Sequence, residues 1–240
     1  MTRSLSLYLD LLRFLAAFAV YISHASYFAR ERLPFIGNLG SEAVIVFFVL
    51  SGMLITVAGE RQPDLGRFVQ ARLSRLWSIC LPALVMTLVV DTIGQYIALS
   101  SYHPMQPYTP FKWLASIGMN ALFLNQIWSL NVFPGTNGPF WSLSYEFWYY
   151  ALFTAFVYLK GARRICALIA AALMMGPAIL KAFPIWLLGA LMYVVLIRRS
   201  TPQPTKGWLL WILSFVAALT FSYLELQSSL AATFPGAAAS

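Results

Sequence analysis

The sequence predicts an all-α fold: a polytopic bundle of about seven transmembrane helices with a re-entrant outer segment. Of the 240 residues, 60% are hydrophobic and only 10% are charged, whereas soluble domains carry about 25% charged residues. The apolar residues form runs that approach the roughly 20 residues needed to cross a bilayer as a helix. Lys and Arg lie mainly between these runs, as expected for cytoplasmic loops of membrane proteins. This placement explains the net charge of +8, and no nucleic-acid partner is expected.

Seven apolar runs are the predicted spans. They are residues 8–28, 42–58, 76–99, 141–159, 165–180, 184–197 and 208–225. An eighth run, residues 111–124, is shorter and decides the topology. If it does not span, eleven Lys and Arg residues lie on one side of the membrane and four on the other. This bias predicts a cytoplasmic N-terminus and one multi-pass membrane domain over residues 1–240.

Residues 100–140 are predicted to be one outward segment that partly dips back into the protein. The segment is rich in Pro and Gly, which suit irregular backbone. Such backbone is tolerated at membrane depth only where it is buried in protein or lines water.

The first span carries three ionisable residues, Asp10, Arg13 and His24. Ionisable groups within a span are expensive and are functional candidates by default. Arg13 and His24 are eleven residues apart, a net rotation of about 20°, so both lie on one helix face roughly 16 Å apart along the axis. This face combines a cation with a titratable base.

Two further motifs involve close packing and positive charge. Ser51 and Gly52 are small enough to let two helices approach closely. Arg72 and Arg75 are three residues apart, so they share one face of a helix. They are read either as cytoplasmic membrane anchors or as a clamp for phosphate, because guanidinium groups bind phosphate oxygens bidentately.

Glu146 is an acid within the predicted span 141–159. Ser142 and Tyr150 are each four residues away on the same side of the helix and are expected to hydrogen-bond its carboxylate. By the topology above, Glu146 and His24 lie at comparable depth near the outer side, and the arginine pair lies at the cytoplasmic side.

Four motifs in this order resemble the acyltransferase-3 family of integral membrane O-acyltransferases. They are Arg13 and His24 separated by ten residues, FFVLSG at 47–52, Arg72-x-x-Arg75 followed by Pro82, and WSLSYE at 141–146. Family members have more spans than the seven predicted here, so the chain is expected to be C-terminally incomplete relative to the family.

The resemblance implies transfer of an acyl group, commonly acetyl from acetyl-CoA, to a hydroxyl of a cell-envelope carbohydrate or similar acceptor in a bacterial inner membrane. It implies catalytic roles for His24 and Glu146, and contacts of Arg13, Arg72 and Arg75 with the acyl-CoA donor. A neutral imidazole suits removal of a proton from an attacking hydroxyl. Whether His24 acts only as a base or transiently carries the acyl group stays open.

No permanently bound cofactor and no metal site are expected. The two cysteines, Cys80 and Cys166, are each alone in an apolar run and are interpreted as small buried side chains. Two alternatives to an active enzyme are a transporter that uses the same intramembrane His, Glu and Arg and an inactive, truncated acyltransferase. A transporter would not explain the arginine pair. The sequence also lacks the internal repeats that many secondary transporters show.

Overall fold

A computed structural model describes residues 3–28, 40–97 and 110–198, and within these ranges the chain is helical without strands. The α-helices are α1 (Arg3–Phe28), α2 (Gly40–Arg61), α3 (Leu65–Ile97), α4 (Pro110–Ala121), α5 (Trp141–Tyr158) and α6 (Gly161–Met192). A short 3-10 helix (Gly138–Phe140) precedes α5, and a π-helical turn (Tyr193–Ile197) follows α6. The prediction of an all-α fold is confirmed.

Four of these helices, α1, α2, α3 and α6, are long and apolar enough to cross a membrane. The membrane character predicted from composition is therefore supported, but the count of seven spans is not confirmed. The predicted span 208–225 lies outside the described residues. α4 has 12 residues and is about 18 Å long, well short of the roughly 30 Å of a hydrocarbon core.

The third helix begins at Leu65, eleven residues before the predicted start of that span. The Asp64 carboxylate accepts a hydrogen bond of 2.8 Å from the backbone N–H of Arg67, which is the arrangement of a helix N-cap. The helix therefore starts in polar sequence and carries both Arg72 and Arg75 before its apolar part.

Two predicted spans, 165–180 and 184–197, fall mostly within the single element α6. The break predicted at 181–183 is wrong, because the helical backbone is interrupted instead at Gly176, with φ 73° and ψ −179°. Only glycine adopts this conformation readily. A Cβ there would also lie 2.6 Å from the Cα of Trp128, so this glycine permits both the break and a close backbone approach.

The chain divides into two compact units, Met1–Leu54 with Ile185–Ser240, and Ile55–Pro184. In the described part of the first unit, Leu9 of α1 packs with Leu50 and Met53 of α2. The opposite surface of α1 carries exposed apolar side chains such as Phe14 and Phe18, as expected for a helix that faces lipid.

Helices α2 and α6 meet backbone to backbone in the first unit. A Cβ on Gly52 would lie 2.0 Å from the carbonyl oxygen of Trp186, and a Cβ on Gly189 would lie 1.9 Å from that of Val49. The indole N–H of Trp186 also lies 3.3 Å from the hydroxyl oxygen of Ser51. The close packing predicted at Ser51 and Gly52 is confirmed.

In the second unit, one face of α3 is buried. Its members are Leu76, Cys80, Leu84, Thr87 and Asp91. α4 runs antiparallel to this face. The Asn120 carbonyl of α4 is 3.9 Å from the Cys80 sulfur, and Trp113, nearer the start of α4, lies close to Gly135 and Asp91.

After α4 the chain turns back, and Thr136 reaches Asp91 near the C-terminal end of α3. Residues 122–137 thus return from the level of Cys80 to the level of Asp91. The placement of this path within a bilayer stays a prediction.

The irregular segment 122–137 is anchored by its own backbone groups. The Phe123 carbonyl oxygen accepts hydrogen bonds from the Ser144 hydroxyl at 2.7 Å and the Trp148 indole at 3.0 Å, both of α5. The Trp128 N–H donates to the carbonyl of Met175 at 3.0 Å, next to the break in α6. Phe123 and Trp128 have positive φ angles of 58° and 55°, which are uncommon for residues with a side chain. This segment is therefore held in a defined conformation by helices on several sides.

Candidate functional site

His24 lies near the end of α1 with its side chain half-buried. Its Nδ1 is 2.8 Å from the carbonyl oxygen of Val20, one turn earlier in the helix. Because a carbonyl oxygen can only accept, Nδ1 carries the proton in this hydrogen bond. In the neutral ring the lone pair is then on Nε2. The helix thus fixes the tautomer in which Nε2 can accept a proton.

Arg13 lies on the same helix and pairs with Asp10 at 3.8 Å. The Asp10 side chain is 64% exposed and that of Arg13 is 27% exposed. A long, partly exposed pair of this kind contributes little to stability, so its main effect is to balance the Arg13 charge. The contact of Arg13 with the acyl-CoA donor stays a prediction.

Glu146 lies in the second turn of α5 with its side chain half-buried. The Tyr150 hydroxyl donates a hydrogen bond to Glu146 Oε1, as predicted from the spacing. The prediction for Ser142 is wrong, because its hydroxyl lies 3.2 Å from the Pro139 carbonyl oxygen and supports the start of the helix instead. A serine near a helix start often bonds to nearby backbone in this way.

Ser144 of the same motif is fully buried and bonds to the Phe123 carbonyl. Ser144 and Glu146 are two positions apart, so they lie about 200° apart around the helix axis. One side of the motif therefore anchors α5 to segment 122–137, and the other carries the carboxylate with its tyrosine.

Arg72 and Arg75 lie in the N-terminal third of α3, and both side chains are half-buried. The Arg72 guanidinium carbon is 5.8 Å from the centre of the Phe68 ring, within the range of a cation–π contact. Within the described part of the chain, the buried Nε of Arg72 has no hydrogen-bond partner. This N–H is a donor that a bound anion can use.

The predicted site residues divide between the two units. His24 and Arg13 belong to the first, and Glu146, Arg72 and Arg75 belong to the second. Within the second unit, the ring of Phe68, next to Arg72, packs 5.0 Å from that of Tyr158, the last residue of α5. The arginine pair therefore lies at the end of α5 opposite to the turn that carries Glu146.

Sequence reasoning missed one residue and was wrong about another. The missed residue is Asp91, which is 1% exposed and accepts two hydrogen bonds from Thr136. The sequence does contain a feature that could have identified Asp91, because it is an acid within an apolar run, as Glu146 is. The prediction that Cys166 is buried is wrong, since it is exposed on α6, whereas Cys80 is buried as predicted.

Comparison with known families matches residues 6–236 of the chain to the Acyl_transf_3 model, described as an acyltransferase domain. The chain belongs to the acyltransferase-3 family. The match includes all five predicted site residues of this acyltransferase-3 chain, from Arg13 to Glu146. The family resemblance carried by the four sequence motifs is thereby confirmed.

Two curated proteins are similar to this acyltransferase-3 chain. Acyltransferase MdmB of Streptomyces mycarofaciens is 31% identical over 182 residues, which cover 71% of this chain and 44% of that protein. The O-acetyl transferase of Shigella phage Sf6 is 27% identical over 152 residues, which cover 60% of this chain and 43% of that protein. The chain thus spans less than half the length of either relative. No solved structure matches it.

Proposed function

We propose that this protein is a membrane O-acyltransferase that moves an acyl group, acetyl in the first instance, from acyl-CoA to a hydroxyl of a cell-envelope carbohydrate or similar acceptor. The observation that carries the proposal is the hydrogen bond from His24 Nδ1 to Val20, which leaves the Nε2 lone pair as proton acceptor. Membership of the family supports acyl transfer. The phage relative is named an O-acetyl transferase, which supports acetyl as the group and oxygen as the atom that receives it.

The proposed reaction needs one proton acceptor. Nε2 of His24 takes the proton of the acceptor hydroxyl while its oxygen attacks the thioester carbonyl. The tetrahedral intermediate expels the CoA thiolate, and the imidazolium returns the proton to this sulfur. The products are an ester and free CoA, and His24 ends in its starting state. General-base catalysis of this kind contributes typically about 10²–10⁴-fold.

The donor is proposed to bind through its phosphates at Arg72 and Arg75. Both guanidinium groups are half-buried, and Arg72 retains a buried N–H without a partner among the described residues. Guanidinium groups favour phosphate because their N–H fork matches its oxygens. The Asp64 carboxylate caps the start of the same helix, so the local charge is not purely positive. Arg13 is proposed to contact the donor while it stays paired with Asp10.

Glu146 is proposed to orient either the imidazole or the acceptor hydroxyl, with its own carboxylate held by Tyr150. The protein is proposed to lie in a bacterial inner membrane with a cytoplasmic N-terminus, as the distribution of Lys and Arg predicts. That orientation brings the arginine pair to the side from which cytoplasmic acyl-CoA arrives.

The test uses the full chain in lipid nanodiscs with isotope-labelled acetyl-CoA and a panel of methyl glycosides. Free CoA and labelled ester are measured together. His24→Ala should lower ester formation at least about 100-fold while acetyl-CoA binding stays within twofold of the wild type. His103→Ala, which removes the other histidine, is the matched control and should leave turnover unchanged. Acetyl-CoA that binds without release of CoA in the wild type would contradict the proposal and favour the transporter or the inactive form.

A further inference from the structure

We propose that Asp91 is a positioning residue for Glu146, acting through the turn that leads into α5. The proposal rests on the proposed function for the role of Glu146, but the clamp itself can be tested without activity. Asp91 lies in the C-terminal part of α3 and is 1% exposed. A carboxylate so deeply buried is costly unless hydrogen bonds compensate it, so its retention points to a specific use.

The carboxylate of Asp91 holds the turn at Gly135 and Thr136 from two sides. Asp91 Oδ2 accepts the backbone N–H of Thr136 at 2.9 Å, and Oδ1 accepts the Thr136 hydroxyl at 2.6 Å. Hydrogen bonds to an ionised acceptor are roughly twice as strong as those between neutral groups. Because both carboxylate oxygens are used, the turn is fixed in orientation as well as in distance.

The turn is shaped to receive this carboxylate. Gly135 has a positive φ of 59°, and a Cβ at this position would lie 1.8 Å from Asp91 Oδ2. No other residue type leaves room for the carboxylate and adopts this backbone equally well. One helical turn earlier on α3, the Thr87 hydroxyl oxygen accepts a hydrogen bond of 2.9 Å from the side-chain amide of Asn137. Two successive residues of the turn are therefore bound to one face of α3.

The turn continues into the helix that carries Glu146 without a flexible joint. Asn137 N–H donates to the Pro134 carbonyl at 3.1 Å and Gly138 N–H to the Thr136 carbonyl at 2.9 Å. The 3-10 helix Gly138–Phe140 follows directly and leads into α5 at Trp141. Since these local bonds connect residues 134–138 on both sides of Thr136, the position of Thr136 is proposed to set the direction in which α5 begins.

The other anchors of α5 do not replace this clamp. The bonds of Ser144 and Trp148 to Phe123 fix the face opposite to Glu146. They hold the helix against segment 122–137, and the Tyr149 hydroxyl bonds to the Ile179 carbonyl at 2.9 Å. These contacts start at the fourth residue of α5 or later, whereas Asp91 acts on the turn that precedes its first residue. A misplacement of about 1 Å at a catalytic group can cost up to about 100-fold in rate, so the clamp matters for turnover.

The first experiment measures hydrogen–deuterium exchange of the backbone amides of residues 135–146 in the full chain in nanodiscs. Asp91→Asn should speed exchange in this peptide about tenfold or more, since a charged hydrogen-bond acceptor is lost, while exchange of residues 163–172 at the start of α6 stays unchanged. Thr136→Val should act in the same direction and Thr136→Ser should not, which guards against misfolding of the Asp91 variant. Equal exchange in wild type and both clamp variants would overturn the proposal, whatever the enzyme activity.

The second experiment separates positioning from stability by kinetics of acetyl transfer. Asp91→Asn should lower kcat by about 10- to 100-fold and leave KM for acetyl-CoA within twofold, because the donor-binding arginines are untouched. In a Tyr150→Phe background the same change should cost much less, since both variants act through Glu146 and their effects are then not additive. Fully additive losses, or a raised KM at unchanged kcat, would overturn the role assigned to Asp91. Absence of acetyl transfer in the wild type would refute the proposed function, and the exchange experiment would still decide the clamp.

Discussion

The phenolic hydroxyl of Tyr150 donates a hydrogen bond to Oε1 of Glu146, one turn earlier on α5. The tyrosine is 5% exposed and the glutamate is half-buried, so this bond is partly shielded from water. There a hydrogen bond to a charged group is worth more than at a surface. The pair lies on the face of α5 turned away from the bonds of Ser144 and Trp148. The carboxylate is thus oriented by its own helix.

Replacing Tyr150 by Phe tests this relationship. Loss of a hydrogen bond to a charged group costs about 1.5–3 kcal/mol, so acetyl transfer should fall about tenfold or more. Tyr96→Phe is the matched control, because Tyr96 is 89% exposed on α3 and its change should leave the rate within twofold. Both variants are compared by turnover in nanodiscs. A Tyr150→Phe protein with wild-type turnover would show that the carboxylate needs no support from this phenol.

The contact between α2 and α6 predicts a loss of stability for Gly52→Ala. The new methyl group would meet the Trp186 carbonyl oxygen at 2.0 Å, so the backbones must separate, at a cost of about 1–3 kcal/mol. Gly118→Ala is the control, because nothing lies within 4 Å of its added Cβ. It should stabilise α4 by up to about 1 kcal/mol. Thermal unfolding in detergent measures both, and a Gly52→Ala protein as stable as the wild type would argue against the close contact.

The arginine pair predicts weaker binding of acetyl-CoA when it is removed. Arg72→Ala and Arg75→Ala should each lower the affinity about tenfold, since each loses charge-assisted contacts to phosphate. Arg→Lys at either position should be milder, because charge is kept and only the fork is lost. The double change Lys160→Ala with Arg163→Ala removes the same charge from exposed positions and should have little effect. Isothermal titration gives the affinities. If Arg72→Ala with Arg75→Ala lost no more affinity than Lys160→Ala with Arg163→Ala, the pair would be reduced to nonspecific basic charge.

The predicted topology is tested by labelling from opposite sides of sealed cells. A cysteine at Ala162, exposed at the start of α6, should be protected from a membrane-impermeant maleimide, whereas a cysteine at Gln106 should react. The background carries Cys166→Ala, because this native cysteine is exposed. Labelling of Ala162→Cys from outside would mean that residues 111–124 cross the membrane, and the eleven-to-four distribution of Lys and Arg would need another reason.

Hydrophobicity predicted the helices well and their ends poorly. The apolar part of α3 was visible, but its first turns are polar and depend on the Asp64 cap, which hydropathy does not detect. The break in α6 was expected at 181–183, where Lys181 and Pro184 interrupt the apolar run. It lies instead at Gly176, because Trp128 approaches the backbone there. Contacts between distant parts of the chain decide where a helix ends or breaks. The periodicity of the sequence carries no information about these contacts.

In the candidate site, too, the sequence predicted the main residues but not their partners. His24 and Glu146 stood out because ionisable groups in apolar runs are rare. Their partners could not be chosen from spacing, since Ser142 and Tyr150 are equally distant from Glu146 and only Tyr150 bonds to it. The Val20 carbonyl that selects the tautomer of His24 is a backbone atom and leaves no mark in the sequence. Asp91 is recognisable in the sequence as an acid within an apolar run, but only the fold shows that it bonds to Thr136.

The backbone of segment 122–137 finds its partners in parts of the chain that are synthesised at different times. Asp91 precedes the segment, whereas Ser144, Trp148 and Met175 follow it. When the segment leaves the ribosome, its Trp128 N–H and Phe123 carbonyl therefore have no protein partner, and in hydrocarbon each would cost several kcal/mol. We therefore expect these groups to stay in contact with water or the insertion machinery until α6 has been translated past Met175. The segment is then expected to reach its final conformation in a late folding step, after the helices around it.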